Sequence, residues 1–186
     1  GGPSGFLPLD VSDNVTRVLG WTREEALRPD FFTSHVHPDD LDRAMRAGAA
    51  ALETGGVVHD YRIGHRDGRW LWVREALRVE RDGAGRVTEI TGAWQEVTQE
   101  KAAEAEIRKL SAVIEQSPNA VIITDLEGSI VYVNPAFAGQ SGYAAGEVLG
   151  RNPRMLQSGR APRATYESLW GSLTAGRPWR GEFHNL

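Results

Sequence analysis

The feature that most constrains this chain is an internal repeat. Val11-Ser12-Asp13-Asn14-Val15, Gly20-Trp21 and Glu25-Ala26-Leu27 return 122 residues later as Val133-Asn134-Pro135-Ala136-Phe137, Gly142-Tyr143 and Glu147-Val148-Leu149. The same offset carries residues 57–63 onto residues 179–185. A period this long indicates two tandem copies of one domain; solenoid units are shorter, roughly 20–50 residues. A length of 186 residues accommodates one large or two small domains, and the repeat selects two. By the offset, the glycine turn Arg66-Asp67-Gly68 and everything up to Thr98 would recur at about residues 188–220, past Leu186. Conversely, residues 120–125 map to about −2 to 3. The expectation is two copies, each incomplete at a chain end: a first domain over 1–98 without a regular first strand, a linker helix over 99–116, and a second domain over 117–186 lacking its last two strands. The leading Gly1-Gly2-Pro3-Ser4-Gly5 carries no structural expectation.

Forty per cent hydrophobic and 25% charged residues suit a soluble globular protein. A net charge of −4 supplies no electrostatic reason to expect nucleic acid or an anionic membrane as partner. The absence of cysteine excludes disulfides, thiolate metal sites and cysteine nucleophiles, and fits a reducing cytoplasm. No apolar run approaches the roughly 20 residues that span a bilayer, and no secretory signal pattern opens the chain. A cytoplasmic location is expected.

Residues 57–63 run into Arg66-Asp67-Gly68 and on to Trp70-Leu71-Trp72-Val73-Arg74, and Asp-Gly between such segments signals a hairpin. A second turn, Arg81-Asp82-Gly83-Ala84-Gly85, leads into strand formers over 87–94, which predicts a three-strand antiparallel meander. Upstream, Asp39-Asp40 can cap a helix through Leu52 that ends near Gly55-Gly56, with Leu41, Ala44, Met45, Ala49 and Leu52 at helical spacing. Short helices are predicted over 15–19 and 23–27, the latter with Thr22 and Glu25 as a capping box. Residues 99–116 are polar, alanine-rich and free of glycine; Ala103, Ile107, Leu110 and Ile114 step by four, three and four, a heptad stripe. That stripe is either a dimer seam or the buried face of a helix lying on its own sheet. A hairpin over 120–133, helices over 135–141 and 164–174, and a last strand over 179–185 complete the reading. Five antiparallel strands with helices grouped on one side form an α+β domain.

This order and these residues resemble the PAS family of sensory domains. The second copy carries the resemblance in Ser117-Pro118-Asn119-Ala120, Thr124-Asp125, Gly128, residues 130–137, Gly142-Tyr143 and Gly150-Arg151-Asn152-Pro153. The first carries it in Gly20-Trp21-Thr22-Arg23-Glu24-Glu25, His37-Pro38-Asp39-Asp40, Tyr61-Arg62-Ile63, Asp67-Gly68 and Trp70-Leu71-Trp72-Val73. The resemblance implies a non-catalytic sensor or docking module of a two-component or cyclic-di-GMP signalling protein. It would regulate a histidine kinase or cyclic-di-GMP enzyme elsewhere in the polypeptide, and a homodimer is expected. No P-loop, kinase signature or nicotinamide-binding GxGxxG stands in the chain.

Asn152-Pro153-Arg154-Met155-Leu156-Gln157 is similar to the flavin-binding helix of LOV domains and of FAD-binding redox-sensing PAS domains. The match implies FAD or FMN, with Arg154 on a phosphate and Asn152 and Gln157 on the ribityl chain. Asn185 would reach the pyrimidine edge, and Trp179 belongs to the same pattern. Pro153 stands where LOV domains carry their photoactive cysteine, so cysteine-dependent photochemistry has no thiol to use. Similar segments occur in PAS domains without a ligand; there Gly150 and Pro153 shape a turn while Met155 and Leu156 join the core. A free-standing flavin oxidoreductase is the third alternative.

Two adjacent carboxylates before an apolar-periodic segment more often cap a helix than bind a metal, and no metal site is expected at His35, His37, Asp39 or Asp40. Trp70 and Trp72 share one strand face, where dimer or linker packing is preferred over a cofactor. Glu96-Val97-Thr98 resembles the Asp-x-Thr signal-transfer motif of PAS domains. The match implies that Glu96 pairs with Arg66 or Arg69 while the Thr98 hydroxyl caps the linker helix.

Overall fold

The computed structural model describes residues 8–185; the leader at residues 1–5 lies outside them. Two compact units divide between Ala105 and Glu106.

The first unit opens with α1 (Asn14–Leu19), α2 (Arg23–Ala26), α3 (Phe31–His35) and α4 (Pro38–Thr54). Gly20 stops α1 with φ 76°, a left-handed conformation that glycine adopts without steric cost, and its N–H returns to the Thr16 carbonyl. The capping box of α2 forms as read: Thr22 Oγ1 accepts from the Glu25 N–H at 3.2 Å, and the Glu25 carboxylate accepts from the Thr22 N–H at 2.8 Å. At α4 the reading needs correction. The cap is His37, whose Nδ1 accepts from the Asp39 N–H at 3.2 Å, with Pro38 opening the helix. Asp40 does not cap; it is buried, because Arg62 offers its carboxylate better donors than the helix start does.

β1 (Gly56–Gly64), β2 (Trp70–Arg81) and β3 (Val87–Glu96) follow as the antiparallel meander β1-β2-β3. The first hairpin folds about Asp67, so residues seven positions either side of it, Asp60 and Arg74, face each other. The second turn is fastened by Asp82, whose Oδ1 accepts from the Ala84 and Arg86 N–H groups, and a register shift between Glu80 and Arg81 precedes it. Period two puts Leu71, Val73 and Glu75 on the buried face of β2, and Trp70 and Trp72 on the other. The core joins Val15, Leu19, Phe31, Val36, Tyr61, Ile63, Leu71 and Val73. A polar row crosses this inner face: His59 Nε2 lies 3.0 Å from Glu75 Oε2, and Trp94 Nε1 donates to Glu75 Oε1 at 2.8 Å. Burial, with the Glu75 charge beside it, pushes the Tyr61 hydroxyl well above its usual range.

The linker helix α5 (Thr98–Glu115) spans the division. In the second unit β4 (Ile122–Thr124) pairs antiparallel with β5 (Ile130–Val133), followed by α6 (Pro135–Ser141), α7 (Ala145–Val148), a 3-10 turn (Pro153–Leu156) and α8 (Arg163–Leu173). Ile130, Val133, Phe137, Val148 and Leu156 form its core. The repeat is visible in detail. Gly142 ends α6 at φ 77° as Gly20 ends α1, and Glu147 accepts from the Ala144 N–H as Glu25 does from Thr22, although Ala144 has no hydroxyl to complete the box.

The fold is α+β with antiparallel sheets, as read. Among the described residues, however, the strands form separate sheets of three and two, and neither unit assembles five. The strand predicted over 179–185 is also corrected. It makes no ladder, and only Asn185 forms an isolated bridge, to Gln157. A strand exists through its neighbour's N–H and C=O groups, and among the described residues this segment finds them only at its end, where the His184 carbonyl accepts from the Ser158 N–H at 3.3 Å.

Candidate functional site

In the second unit, the 3-10 turn presents the residues matched to flavin binding. Asn152 caps it, accepting from the Arg154 N–H at 3.0 Å and from Arg154 Nε at 3.2 Å on one oxygen, Oδ1. The Arg154 guanidinium is exposed, with no carboxylate in salt-bridge range among the described residues. Leu156 turns into the core and Met155 packs against it, which fixes the turn from below. Gln157 bridges Asn185. Trp179 belongs to a different group: its ring packs at 5.1 Å on Phe183, which stacks at 5.5 Å on Tyr166, and its Nε1 donates to Ser168 Oγ at 3.1 Å. The structure therefore pairs Asn152 with Arg154 and Gln157 with Asn185, and sets Trp179 in an aromatic cluster.

At the start of α5 the residues matched to signal transfer are arranged differently from expectation. Arg66 pairs with Glu25 at 3.1 Å and covers Trp21, and Arg69 pairs with Asp67 at 3.1 Å. Neither reaches Glu96, because both stay with carboxylates and rings beside their own turn. Glu96 makes no salt bridge among the described residues. Thr98 is not a free-standing cap: its Oγ1 accepts from the Trp72 N–H at 3.0 Å, and the Val97 N–H donates to the Trp72 carbonyl at 2.9 Å. This first turn is thus stitched to the Trp72 backbone on β2 by one side-chain and one backbone bond.

The groups around it are ones that sequence reading missed. Asp60 on β1 takes a two-pronged contact from Arg74, Nε at 2.8 Å and Nη2 at 3.1 Å, and Lys101 Nζ lies 2.7 Å away. Arg74 Nη2 also donates to Glu100 at 3.1 Å. The cations hold the Asp60 carboxyl down at about 2, Arg74 contributing most. The signal was present in the sequence as Asp60 and Arg62 alternating with the apolar residues of a strand. A hairpin folded about Asp67 would have supplied the partners.

Further along α5, Ile107 is 66% and Leu110 54% exposed, Ala103 is exposed and Ile114 half-buried. The alternative that the stripe lies buried on its own sheet does not hold for this face. Val113, 64% exposed, extends it.

A PAS-fold family model matches residues 8–94, and a second PAS-fold model matches residues 108–185. A nitrogen fixation regulatory protein of Klebsiella oxytoca is 41% identical over 73 residues, covering 39% of this chain and 15% of its own length. Sensor protein FixL of Bradyrhizobium diazoefficiens is 28% identical over 153 residues, 80% of this chain and 30% of its own. The chain therefore spans less than a third of the length of these relatives. Among solved structures, the N-terminal domain of a diguanylate cyclase with PAS/PAC sensor from Marinobacter aquaeolei shares 26% identity at a TM-score of 0.46, covering 50% of this chain and 86% of that one.

Proposed function

The chain belongs to the PAS-fold family, and from that premise we propose that it is the sensing and transmitting segment of a longer signalling protein. Its tandem domains are a signal-sensing module. The regulated output, a histidine kinase or cyclic-di-GMP enzyme by the family resemblance, would stand elsewhere in the polypeptide. The observation that carries the transmitting role is the exposed apolar face of α5. Its occupant is a second copy of the chain, because heptad spacing of Ala103, Ile107, Leu110 and Ile114 suits a helix of the same spacing. Burying each large apolar side chain contributes about 1.5–3 kcal/mol. Ile107→Glu/Leu110→Glu places four carboxylates in a two-fold seam and is expected to convert a dimer to a monomer by light scattering. A dimer mass that survives this double substitution removes α5 from the interface.

The sensing role is assigned to the second domain, with FAD or FMN as its ligand. The donor set fits: an exposed guanidinium at Arg154 suits a phosphate, and the amides of Asn152, Gln157 and Asn185 both donate and accept. A bound flavin supplies redox chemistry that alters charge and hydrogen bonding at its ring edge. Purified protein incubated with FAD or FMN is expected to keep flavin absorbance after desalting. Arg154→Ala and Asn185→Ala should each weaken binding by about 1.5–3 kcal/mol, roughly 10- to 100-fold in Kd. One observation favours the ligand-free alternative, since Asn152 Oδ1 already serves Arg154. Folded protein that retains neither flavin decides for that scaffold.

A further inference from the structure

We propose that Asp60, and not Glu96, is the carboxylate that fastens the transmitting helix to the first sheet, with Arg74 and Lys101 as its cations. The inference rests on the reading of α5 as the transmitting element and names what positions its first turn. Cross-strand register builds the site. Asp60 faces Arg74 and Arg62 faces Trp72, so four side chains make one patch on the face of β1 and β2 away from the core. Two successive residues of α5 land on it. Lys101 Nζ reaches Asp60 at 2.7 Å and lies 5.8 Å from the centre of the Trp72 ring, on which the Arg62 guanidinium also sits at 5.5 Å. Glu100 accepts from Arg74 Nη2 at 3.1 Å, the nitrogen that also serves Asp60.

Asp60, Lys101 and Arg74 have side chains 19%, 25% and 32% exposed, so water and salt screen the cluster less than they screen an open surface pair. α4 reaches the same residue: Arg43 Nη1 donates to the Asp60 backbone carbonyl at 2.7 Å, and its Nη2 to Asp40 at 3.2 Å. A shift of α4 or of the β1–β2 hairpin therefore moves the anchor of the helix directly. The carboxyl, held near 2, stays charged at neutral pH, so the latch responds to displacement and not to proton uptake. Glu96, which the motif match favours, contributes no charge contact here among the described residues.

The test is hydrogen exchange on the whole chain, read at the amides of residues 101–105 against those of β1 and β2. Asp60→Asn keeps the shape and removes the charge; the amides of residues 101–105 should exchange at least about tenfold faster while the strands keep their protection. Lys101→Gln, which leaves the Asp60–Arg74 pair in place, should act in the same direction and carries the test if Asp60→Asn does not fold. Lys101→Arg should restore protection, and the double variant Asp60→Asn/Lys101→Gln should fall short of additivity. Glu96→Gln should change nothing. Exchange within twofold of the parent in both Asp60→Asn and Lys101→Gln, or an equal release by Glu96→Gln, overturns the assignment. Repeating the measurement in the Ile107→Glu/Leu110→Glu background separates the two readings. A dimer that survives this double substitution sinks transmission through the α5 seam and leaves the latch standing, whereas a dimer whose α5 ignores Asp60 sinks only the latch.

Discussion

Asn134→Ala is expected to destabilise the second unit by about 1–3 kcal/mol. Asn134 is 1% exposed and uses its amide fully. Its Nδ2 donates to the carbonyls of Ile114 at 3.1 Å and Asn119 at 2.9 Å, and its Oδ1 accepts from the N–H groups of Val121 at 2.8 Å and Phe137 at 3.1 Å. One side chain thus ties the last turn of α5, the approach to β4 and the start of α6. Alanine removes all four bonds: the Phe137 N–H and the Ile114 and Asn119 carbonyls keep a second partner, but the Val121 N–H loses the one it has among the described residues, a loss of about 1–3 kcal/mol where water cannot replace it. Asn134→Asp separates the two halves of the role. It keeps the acceptors but turns a carboxylate toward two carbonyl oxygens, so folding should raise its pKa. Its stability deficit should then be smallest below the unfolded carboxyl pKa and grow as pH rises through the folded value. Exchange protection in peptides spanning 114–137, followed with pH, measures both effects. Protection in Asn134→Ala equal to the parent's would mean that the four contacts are replaced at no cost.

The second large effect lies in the first unit. Asp40 is buried, and its Oδ2 accepts from Arg62 Nε at 2.7 Å and from the Arg62 N–H at 3.0 Å, while Oδ1 takes Arg62 Nη2 and Arg43. These bonds, the Arg62 side chain first, outweigh the cost of burial and lower its pKa from 3.8 to about 2. Because the folded value lies below the unfolded one, the stabilisation is complete above about pH 4 and is lost as pH falls through about 2. Its size is about 2 kcal/mol. Asp40→Asn should therefore be less stable than the parent by about that amount at neutral pH, and the gap should close between pH 4 and 2. Urea unfolding of both proteins across that range is the measurement. A gap that stays constant to pH 2 would show that the charge of Asp40 is not what Arg62 uses.

Both predictions rest on residues that stood in view as letters and not as partners. Asn134 was legible as part of the repeat, yet its counterpart by the offset is Ser12, whose hydroxyl makes one hydrogen bond among the described residues, accepting from the Asn14 N–H. The repeat marked the position without revealing the difference in role. Asp40 was visible as one of two carboxylates at a helix start, and local rules favour a cap there. His37 and Pro38 satisfy the helix start first, which frees Asp40 for Arg62 on the neighbouring strand. Glu96 and Thr98 were chosen by motif, but Arg66 is already claimed by Glu25, and Thr98 by Trp72.

What the sequence determined by itself was local and periodic. The repeat set two copies, Asp67-Gly68 set the first hairpin, Gly20 and Gly142 set two helix ends, Thr22 and Glu25 a capping box, and the 99–116 stripe a helix with one apolar face. Each of these acts over a few residues, where turn chemistry, capping and side-chain spacing have few competitors. What only the tertiary structure decided was which charge meets which. Arg62 lies 22 residues from Asp40 and Arg74 14 residues from Asp60, and in both cases nearer ionisable groups compete. The outcome follows from strand register and from where α4 and α5 dock, because an ion pair is selected by distance in the folded molecule and a candidate along the chain has no advantage until the backbone has closed.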